Sequence, residues 1–559
     1  MTPSPPLPIF HNEDDPHSCC SHSRRNFMKS SVGLAAMGWL GSSLSAENDE
    51  IALSPSPPIE SSLAMNASGN PAPSPGPSSL VGIDWNREAW DPDAPFLVWG
   101  KPLSVRPILM YAVYPKREMT SWRSWGGVLS DDAASEELER IDQELKTLSR
   151  RAGFHLEIQS PVKVKSVEEA QSVLQQPADV VLLYPAAGSG KLLQACVPAK
   201  GDVILFVRHR SGPIYYWYEA LSVAYLMTGR DETENPQKRL GHVHVDDVVV
   251  DERDELLWRL RALYGVKNLN GARIIALGGV WGKYAGDAPD IARTRYEMEL
   301  IEIGYDEIGK RIQTAMADSN RINRARKRTE RYLAMPGTRL STDKPFVENA
   351  FLLYDLFKEL MLEHQAPAFT IKDCMGAIIP LSKTTACLPL SLLNDEGLLA
   401  FCESDFVVIP AGILLRHVTG KPVFLHNSTF PHQGMVTCAH CTAPRRMDAD
   451  RYENVLILTH EESDYGAAPK VEIPIGQEVT FIDPEYTTGR WVGMRGNVED
   501  NPFYPICRSQ QDVRIQGDWK KLLSEVRDSH WLMVYGDSLK EAGYAARKMG
   551  IRWENISDT

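Results

Sequence analysis

The chain lacks an excess of basic residues, a long uninterrupted apolar run and a high density of cysteines. Its formal net charge is −13, which argues against a nucleic-acid backbone as partner, because such a partner favours a basic surface. Nine cysteines in 559 residues do not make a disulfide framework. No segment reaches the ~20 apolar residues that a stable transmembrane helix needs. We therefore expect no nucleic-acid partner and no stable membrane anchor.

Two glycine-containing turns lack the residues that nucleotide binding requires. Residues 185–191 resemble a phosphate loop but lack its first Gly and the Ser or Thr after Lys191. Residues 278–282 follow an apolar run without the spacing of a dinucleotide fingerprint. The sequence therefore gives no reason to expect a nucleotide cofactor, although the second turn lies where α/β sheets bind ligands.

The first segment has the pattern of an export signal. Arg24 and Arg25 precede a modest apolar run at residues 32–44, which predicts a twin-arginine signal peptide at residues 1–46. Residues 47–80 are rich in Pro, Ser, Asn and Gly and are expected to form a disordered linker. We therefore predict a periplasmic or otherwise exported protein, carried by a pathway that accepts folded proteins. Cleavage leaves an odd number of cysteines, so at least one thiol is expected to stay free.

Strands and helices alternate through the following part of the chain. Ser166 and Glu169 have the spacing of a capping box that opens a helix. The alternation predicts an α/β protein with two doubly wound parallel-sheet domains, an N-terminal one at residues 81–235 and a second at residues 236–365. Buried strands are predicted at residues 106–112, 179–184, 202–207 and 272–277.

A change of period marks the third predicted domain, at residues 366–559. Apolar residues there begin to alternate every second position, in runs separated by Gly and Pro, which predicts an antiparallel sheet or a small antiparallel β-barrel. A last strand begins at His530 and ends at Gly536, so its imidazole is expected to point into a shared cleft. The alternating runs lie at residues 455–458, 470–473, 478–482 and 490–494.

Two carboxylates, Glu403 and Asp405, stand two residues apart in an otherwise apolar stretch. On a strand, residues i and i+2 share a face, so both carboxylates are expected to converge on one ligand. Like charges in apolar surroundings are costly unless a cation or a shared proton offsets them. The structural alternative is a Glu that caps a helix or pairs with Arg416. We interpret the two acids as a functional pair.

A cysteine- and histidine-rich segment follows, with Cys438, His440 and Cys441. A structural zinc site needs four ligands, and a second pair at ordinary spacing is missing. We instead expect His440 to line a ligand pocket, the alternative being a buried His that the backbone satisfies. His426 and His432 are further candidates for the same pocket.

The order of units resembles that of the L-fucose isomerase-like sugar isomerases. Residues 271–307, 394–422 and 530–537 carry the resemblance, and the second stretch is the most specific. The match covers most of the chain after the linker. The runs at residues 439–444 and 460–462 indicate an exported branch that differs from the sugar isomerases proper.

The resemblance implies an aldose–ketose isomerase that acts through an enediol, with a divalent metal, expected to be Mn²⁺, held by a Glu, an Asp and a His. Asp405 and His530 match the metal-binding Asp and His. Lys383 stands near the place of the metal-binding Glu, so Glu403 or Asp373 would have to replace it. Glu403, Asp405 and His530 are thus the predicted metal ligands.

The same resemblance implies Glu403 and Asp405 as catalytic residues, with His440 and His426 as substrate-binding residues. The expected substrate is a small sugar or sugar-derived molecule, and the expected assembly is a homo-oligomer, a trimer or hexamer. The leading hypothesis is therefore an exported intramolecular oxidoreductase, a sugar isomerase. A non-catalytic periplasmic carbohydrate-binding protein without the metal is the second hypothesis, and a zinc hydrolase built on Cys438, His440 and Cys441 is the third.

Overall fold

The computed structural model describes residues 80–83, 90–123, 125–215, 226–227, 243–485, 489–525 and 528–558. The predicted signal peptide and all but the last residue of the predicted linker lie outside the described residues. The described part confirms a mixed α/β fold with two parallel sheets and a closed antiparallel barrel.

The first sheet is parallel and has the strand order β2-β1-β4-β5-β6, with β3 also paired to β1. Its strands are β1 Leu103–Met110, β2 Leu156–Ile158, β3 Val162–Val164, β4 Val180–Pro185, β5 Asp202–Val207 and β6 Val248–Val250. Its helices are α1 Asp131–Arg151, α2 Val167–Leu174 and α3 Gly190–Ala195. The central strands are buried on both faces, as their continuous apolar runs require. Strand β6 lies beyond the predicted boundary at residue 235.

Serine caps begin the first two helices. The Ser130 hydroxyl accepts a hydrogen bond from the Ala133 amide, and the Ser166 hydroxyl accepts one from the Glu169 amide at 3.2 Å. The Glu169 carboxylate reaches back to the amide of Lys165, one residue before the cap. The predicted cap at Ser166 is confirmed.

The strands of the second sheet are β7 Arg273–Leu277, β8 Glu299–Ile303, β10 Ala368–Ile371 and β11 Leu399–Cys402; β9 Thr338–Leu340 belongs to another sheet. The second sheet is also parallel, with the order β11-β10-β7-β8. Strands β10 and β11 follow residue 365, so this sheet crosses the predicted domain boundary. The helices of this region are α4 Arg253–Leu269, α5 Ala288–Arg295, α6 Tyr305–Ala317, α7 Ser319–Leu333, α8 Lys344–Glu363, α9 Cys374–Ser382, α10 Cys387–Glu396 and α11 Ile409–Thr419.

The last part of the chain contains the barrel. The elements of this part are β12 Phe424–Ser428, β13 Met435–His440, β14 Asn454–His460, β15 Tyr465–Glu472, β16 Glu478–Pro484, β17 Arg490–Asp500, β18 Ser509–Gln516, α12 Trp519–Glu525, β19 His530–Tyr535, α13 Leu539–Lys548 and β20 Arg552–Asn555. Strands β16-β19-β12-β13-β18-β17 close into a ring because β17 also pairs with β16. Two strands predicted for the barrel, β14 and β15, instead form a small sheet with β9.

Among the described residues, no helix on its own has the length and apolar character to cross a membrane, while α9 and α10, which meet at 94°, satisfy that test only as a pair.

Candidate functional site

The loops that follow β7 and β11 meet at the carboxyl edge of the second sheet. The Phe406 amide donates to the Trp281 carbonyl at 2.9 Å, and the Lys283 amide donates to Asp405 Oδ1 at 3.0 Å. The carboxyl edge of a parallel sheet is where open α/β folds bind ligands. The sequence expectation that the turn after β7 faces a ligand concerns this same edge.

Glu403 and Asp405 are not on a strand, which corrects the sequence interpretation. Strand β11 ends at Cys402, and both Glu403 (φ 68°) and Ser404 (φ 50°) are left-handed. Such a backbone costs about 1–3 kcal/mol for each non-glycine residue, so the surroundings must hold it. The Ser404 amide donates to Thr370 Oγ1 in the neighbouring strand at 3.1 Å. The turn separates the two acids instead of aligning them on one face.

His530, the first residue of β19, joins the two acids. Its Nδ1 lies 2.7 Å from Asp405 Oδ2, and its Nε2 lies 3.3 Å from Glu403 Oε2. The side chains of His530 and Asp405 are fully buried, whereas that of Glu403 is 16% exposed. Glu403 is therefore the carboxylate through which a ligand from solvent would reach the imidazole.

These contacts shift the protonation of the pair. Burial alone would lower the pKa of His530, but the charge of Glu403 and the hydrogen bonds with both carboxylates raise it to about 9. Burial would raise the pKa of Glu403, but the charge of His530 and the contacts with His440 and His530 hold it well below its ordinary value. The resting pair at neutral pH is thus an imidazolium and a carboxylate.

Lys283 completes this cluster from the loop after β7. Its Nζ lies 3.3 Å from the same His530 Nε2 that faces Glu403. A protonated Nε2 donates to the carboxylate, and a deprotonated Nε2 accepts from the ammonium. The two contacts therefore correspond to the two protonation states of His530, which suits a proton-transferring group.

His440 approaches from the end of β13. Its Nδ1 accepts a hydrogen bond from the Cys441 amide at 3.0 Å, which leaves the proton of the neutral ring on Nε2. That Nε2 lies 3.5 Å from Glu403 Oε1, is buried, and has no hydrogen-bond partner of normal geometry. The predicted pocket residue thus presents an unsatisfied polar atom next to Glu403.

Asp528 adds a third carboxyl group behind His530. Its Oδ1 accepts from the Ser529 amide at 2.5 Å and from the His530 amide at 3.3 Å. Burial and the charge of Asp405 raise the pKa of Asp528 to about 6. Sequence reasoning missed both Asp528 and Lys283. The position of Lys283 directly after a glycine-containing turn was the one available signal.

His426 lies apart from this cluster. Strand register pairs it with Trp531, so it shares the face opposite that of His530. Its ring centroid lies 5.5 Å from that of Phe481 and 6.3 Å from that of Trp531, inside the barrel. Burial lowers the pKa of His426 to about 3, so the ring is neutral. The structure does not bring this predicted substrate-binding residue to Glu403.

The predicted metal ligands do not converge on one point. Asp405 occupies Nδ1 of His530, and Glu403 faces Nε2 on the opposite side of the ring. Ligand atoms from Glu403, Asp405 and His530 do not come together within the 4.8 Å that a shared ion requires. As these side chains stand, they do not fit a single cation, and Asp405 orients the imidazole instead.

A second cluster includes Cys441, the residue that follows His440 in the chain. Cys387, Cys441 and His460 are buried, and their ligand atoms lie within 4.8 Å of one another, so they could hold a metal ion. Cys438 and His440 are not part of this group, since Cys438 faces Ser428 across β12 and β13. The three residues considered together as a zinc site, Cys438, His440 and Cys441, therefore lie in three different surroundings.

The comparisons with known proteins do not assign this chain to a family. No protein-family model matches the chain, and no curated protein is significantly similar to it.

Proposed function

We propose that the chain is a proton-transferring enzyme of the isomerase type, acting on a small sugar or sugar-derived substrate at the carboxyl edge of the second sheet. One observation carries the proposal: a buried imidazole lies between two carboxylates, with one of them open to solvent. Concentrated, perturbed titratable groups are typical of catalytic sites. The resemblance to the L-fucose isomerase-like proteins supplies the substrate class.

In the proposed reaction, Glu403 takes the proton from C2 of an aldose. The C–H electron pair forms the C1–C2 double bond, and the carbonyl oxygen receives the proton of the His530 imidazolium. The product is a neutral cis-enediol. The O2 proton then passes to His530 as the proton on Glu403 returns to C1, which yields the ketose with no external oxidant or reductant.

The coupling of the two transfers follows from the resting charges. A carboxylate with a strongly lowered pKa is a weak base, so Glu403 alone would abstract a carbon-bound proton poorly. When His530 gives its proton to the substrate, the charge that holds the Glu403 pKa down disappears. Lys283 then remains as the neighbouring cation, which stabilises the negative charge that develops on the substrate oxygens while the protons are being transferred.

Manganese remains a prediction of the resemblance. Glu403 lies beside His440 Nε2 and His530 Nε2, but these three ligand atoms do not converge, and Lys283 Nζ contacts the same His530 nitrogen. Mn²⁺ would therefore require Lys283 to move. This conflict is the specific observation that favours the second candidate, a periplasmic carbohydrate-binding protein that has lost its metal site.

The test is solvent deuterium exchange at C2, followed by NMR with a panel of aldoses and ketoses. Chelator-treated protein is assayed alone, with added Mn²⁺ and with added Zn²⁺. Exchange in the treated protein supports the reaction with Lys283 as the cation. Exchange restored only by Mn²⁺ supports the metal-dependent form. Sugar binding without exchange in any sample contradicts the enzymatic proposal and supports the binding protein.

A lysine variant separates the first two results. Lys283→Met is expected to reduce metal-free exchange by about tenfold or more, because one cation near the developing charge is lost. Lys310→Met, on the exposed face of α6, is the matched control and should behave as wild type. Equal exchange in both variants would remove Lys283 from the reaction.

A further inference from the structure

A fourth buried residue, Cys507, lies next to the thiol cluster formed by Cys387, Cys441 and His460. The Cys441 thiol makes side-chain hydrogen bonds with both Cys387 and Cys507. Cys507 is itself buried, and it interacts electrostatically with His460. Ligand atoms of Cys387, Cys441 and His460 thus converge within 4.8 Å, and Cys507 lies beside them through its contact with Cys441.

We propose that Cys387, Cys441, Cys507 and His460 form a closed, structural zinc site. Three sulfur ligands and one nitrogen are a donor set that zinc prefers, with four ligands and no open position. Zinc bond lengths place neighbouring ligand atoms about 3.5–3.8 Å apart in a tetrahedron. The spacing of the three convergent ligands within 4.8 Å accommodates that arrangement with small adjustments.

An unsatisfied atom supports a ligand at this point. His460 Nδ1 is buried without a hydrogen-bond partner, and an unpaired buried polar atom costs about 1–3 kcal/mol. Coordination through that nitrogen would satisfy it. The hydrogen bonds that Cys441 makes with the two neighbouring thiols are weak, because S–H is a poor donor.

The surroundings also suit the charge of the site. A zinc ion with three thiolates and a neutral imidazole carries one net negative charge. Arg508 follows Cys507 directly, interacts electrostatically with Cys441, and donates to the Thr459 carbonyl at 2.6 Å beside His460. Its guanidinium, which also pairs with Glu461, thus lies near two of the ligands and offsets part of that charge.

The proposed ion would join elements that are far apart in sequence. Cys387 begins α10, Cys441 follows β13, His460 ends β14 and Cys507 precedes β18. Because the Cys441 amide donates to His440 Nδ1, the same ion would also fix the backbone that orients His440 toward Glu403. The zinc would thus support the candidate active site without contacting substrate. The existence of the zinc site does not depend on the proposed reaction.

The first test is elemental analysis of untagged protein purified without chelator. We expect about one zinc ion per chain, released only when a mercurial reagent titrates the thiols. Protein produced with cobalt should show thiolate-to-cobalt charge transfer and the intense visible bands of tetrahedral Co²⁺. Zinc below about one tenth of an ion per chain, or a Cys387–Cys441 disulfide in intact protein, would overturn the proposal.

Single variants test the ligand set. Cys387→Ser, Cys441→Ser and His460→Ala should each lose zinc, whereas Cys196→Ser, at a buried cysteine that follows α3, should keep it. Cys507→Ser should weaken the tetrahedral cobalt bands, and an unchanged spectrum would overturn the fourth ligand. Should the serine variants fail to fold, zinc release from wild-type protein by stoichiometric thiol modification still decides the question.

Discussion

His440 and Cys441 are neighbours in the chain but belong to clusters of opposite character. His440 faces charged groups that neutralise one another, with an imidazolium held between carboxylates. Cys441 contacts the thiols of Cys387 and Cys507 and lies within 4.8 Å of a ring nitrogen of His460. The charges of the first cluster offset one another, and the cluster reaches solvent through Glu403, although His440 Nε2 has no hydrogen-bond partner. The second cluster is buried and has no such pair of opposite charges among its ligands.

The difference indicates which cluster is better suited to hold a metal ion. A site that is already charge-balanced gains little from a cation and must displace Lys283 to bind one. A buried thiol site without its ion leaves polar atoms unsatisfied and gains much from one. The sequence expectation placed the metal at the acids, whereas the geometry favours the thiols.

Cys441→Ser should have the largest effect on stability. Loss of the proposed ion is expected to lower the free energy of unfolding by about 3 kcal/mol or more, because binding energy of a structural ion is folding energy. Urea denaturation measures it, with Cys196→Ser as the control. Equal losses in both variants would mean that the cluster holds no stabilising ion, and the contrast with the acid cluster would fail.

Asp405→Asn should have the largest effect on activity without removing zinc. The amide cannot hold the His530 proton on Nδ1 as the carboxylate does, so the C2 exchange rate should fall by about 100-fold. Proton exchange by NMR and elemental analysis of the same sample measure both quantities. Wild-type exchange in this variant would contradict the orienting role of Asp405.

Stability should depend on pH through His530 and Glu403 in opposite directions. The raised pKa of His530 gives stability that is complete below about 6.5 and is lost as the pH rises through about 9. The lowered pKa of Glu403 gives stability that is present above about 4.5 and is lost at lower pH. The loss between pH 6.5 and 9 should be about 1–3 kcal/mol.

Urea titrations across this range measure the effect. His530→Gln should flatten the alkaline decline, because the shifted group is gone. A decline of the same size in the variant would assign it to another group.

His426→Phe should have the smallest effect. The ring is neutral and packed among aromatic side chains inside the barrel, so an aromatic replacement should change stability by about 1 kcal/mol or less. Sugar affinity, measured by calorimetry, should stay within about twofold of wild type. A tenfold loss of affinity would extend the binding site into the barrel.

Local patterns predicted much of the fold. Ser166 caps its helix as expected, and the buried strands predicted at residues 179–184, 202–207 and 272–277 are β4, β5 and β7. These signals depend on neighbouring residues, which the sequence shows directly. The parallel sheets and the barrel are confirmed, although β14 and β15 pair with β9, because short alternating runs do not specify their partners.

Two features of the site could not be read from the sequence. The left-handed turn at Glu403 and Ser404 has no glycine to signal it, and it depends on support from Thr370 in another strand. The thiol cluster combines residues from distant segments, so local ligand spacing linked Cys441 to Cys438 and His440 instead. Both features are products of tertiary packing.

The most direct test of the central claim is C2 deuterium exchange by Glu403→Gln beside its matched control, Glu499→Gln. Glu499 forms an exposed pair with Arg514, so both variants remove one carboxylate charge from an ion pair. The account predicts that Glu403→Gln loses exchange by about 1,000-fold or more while Glu499→Gln keeps it. Equal exchange by the two variants would contradict the proposed role of Glu403. The absence of exchange in the wild type and in both variants would contradict the proposed reaction itself.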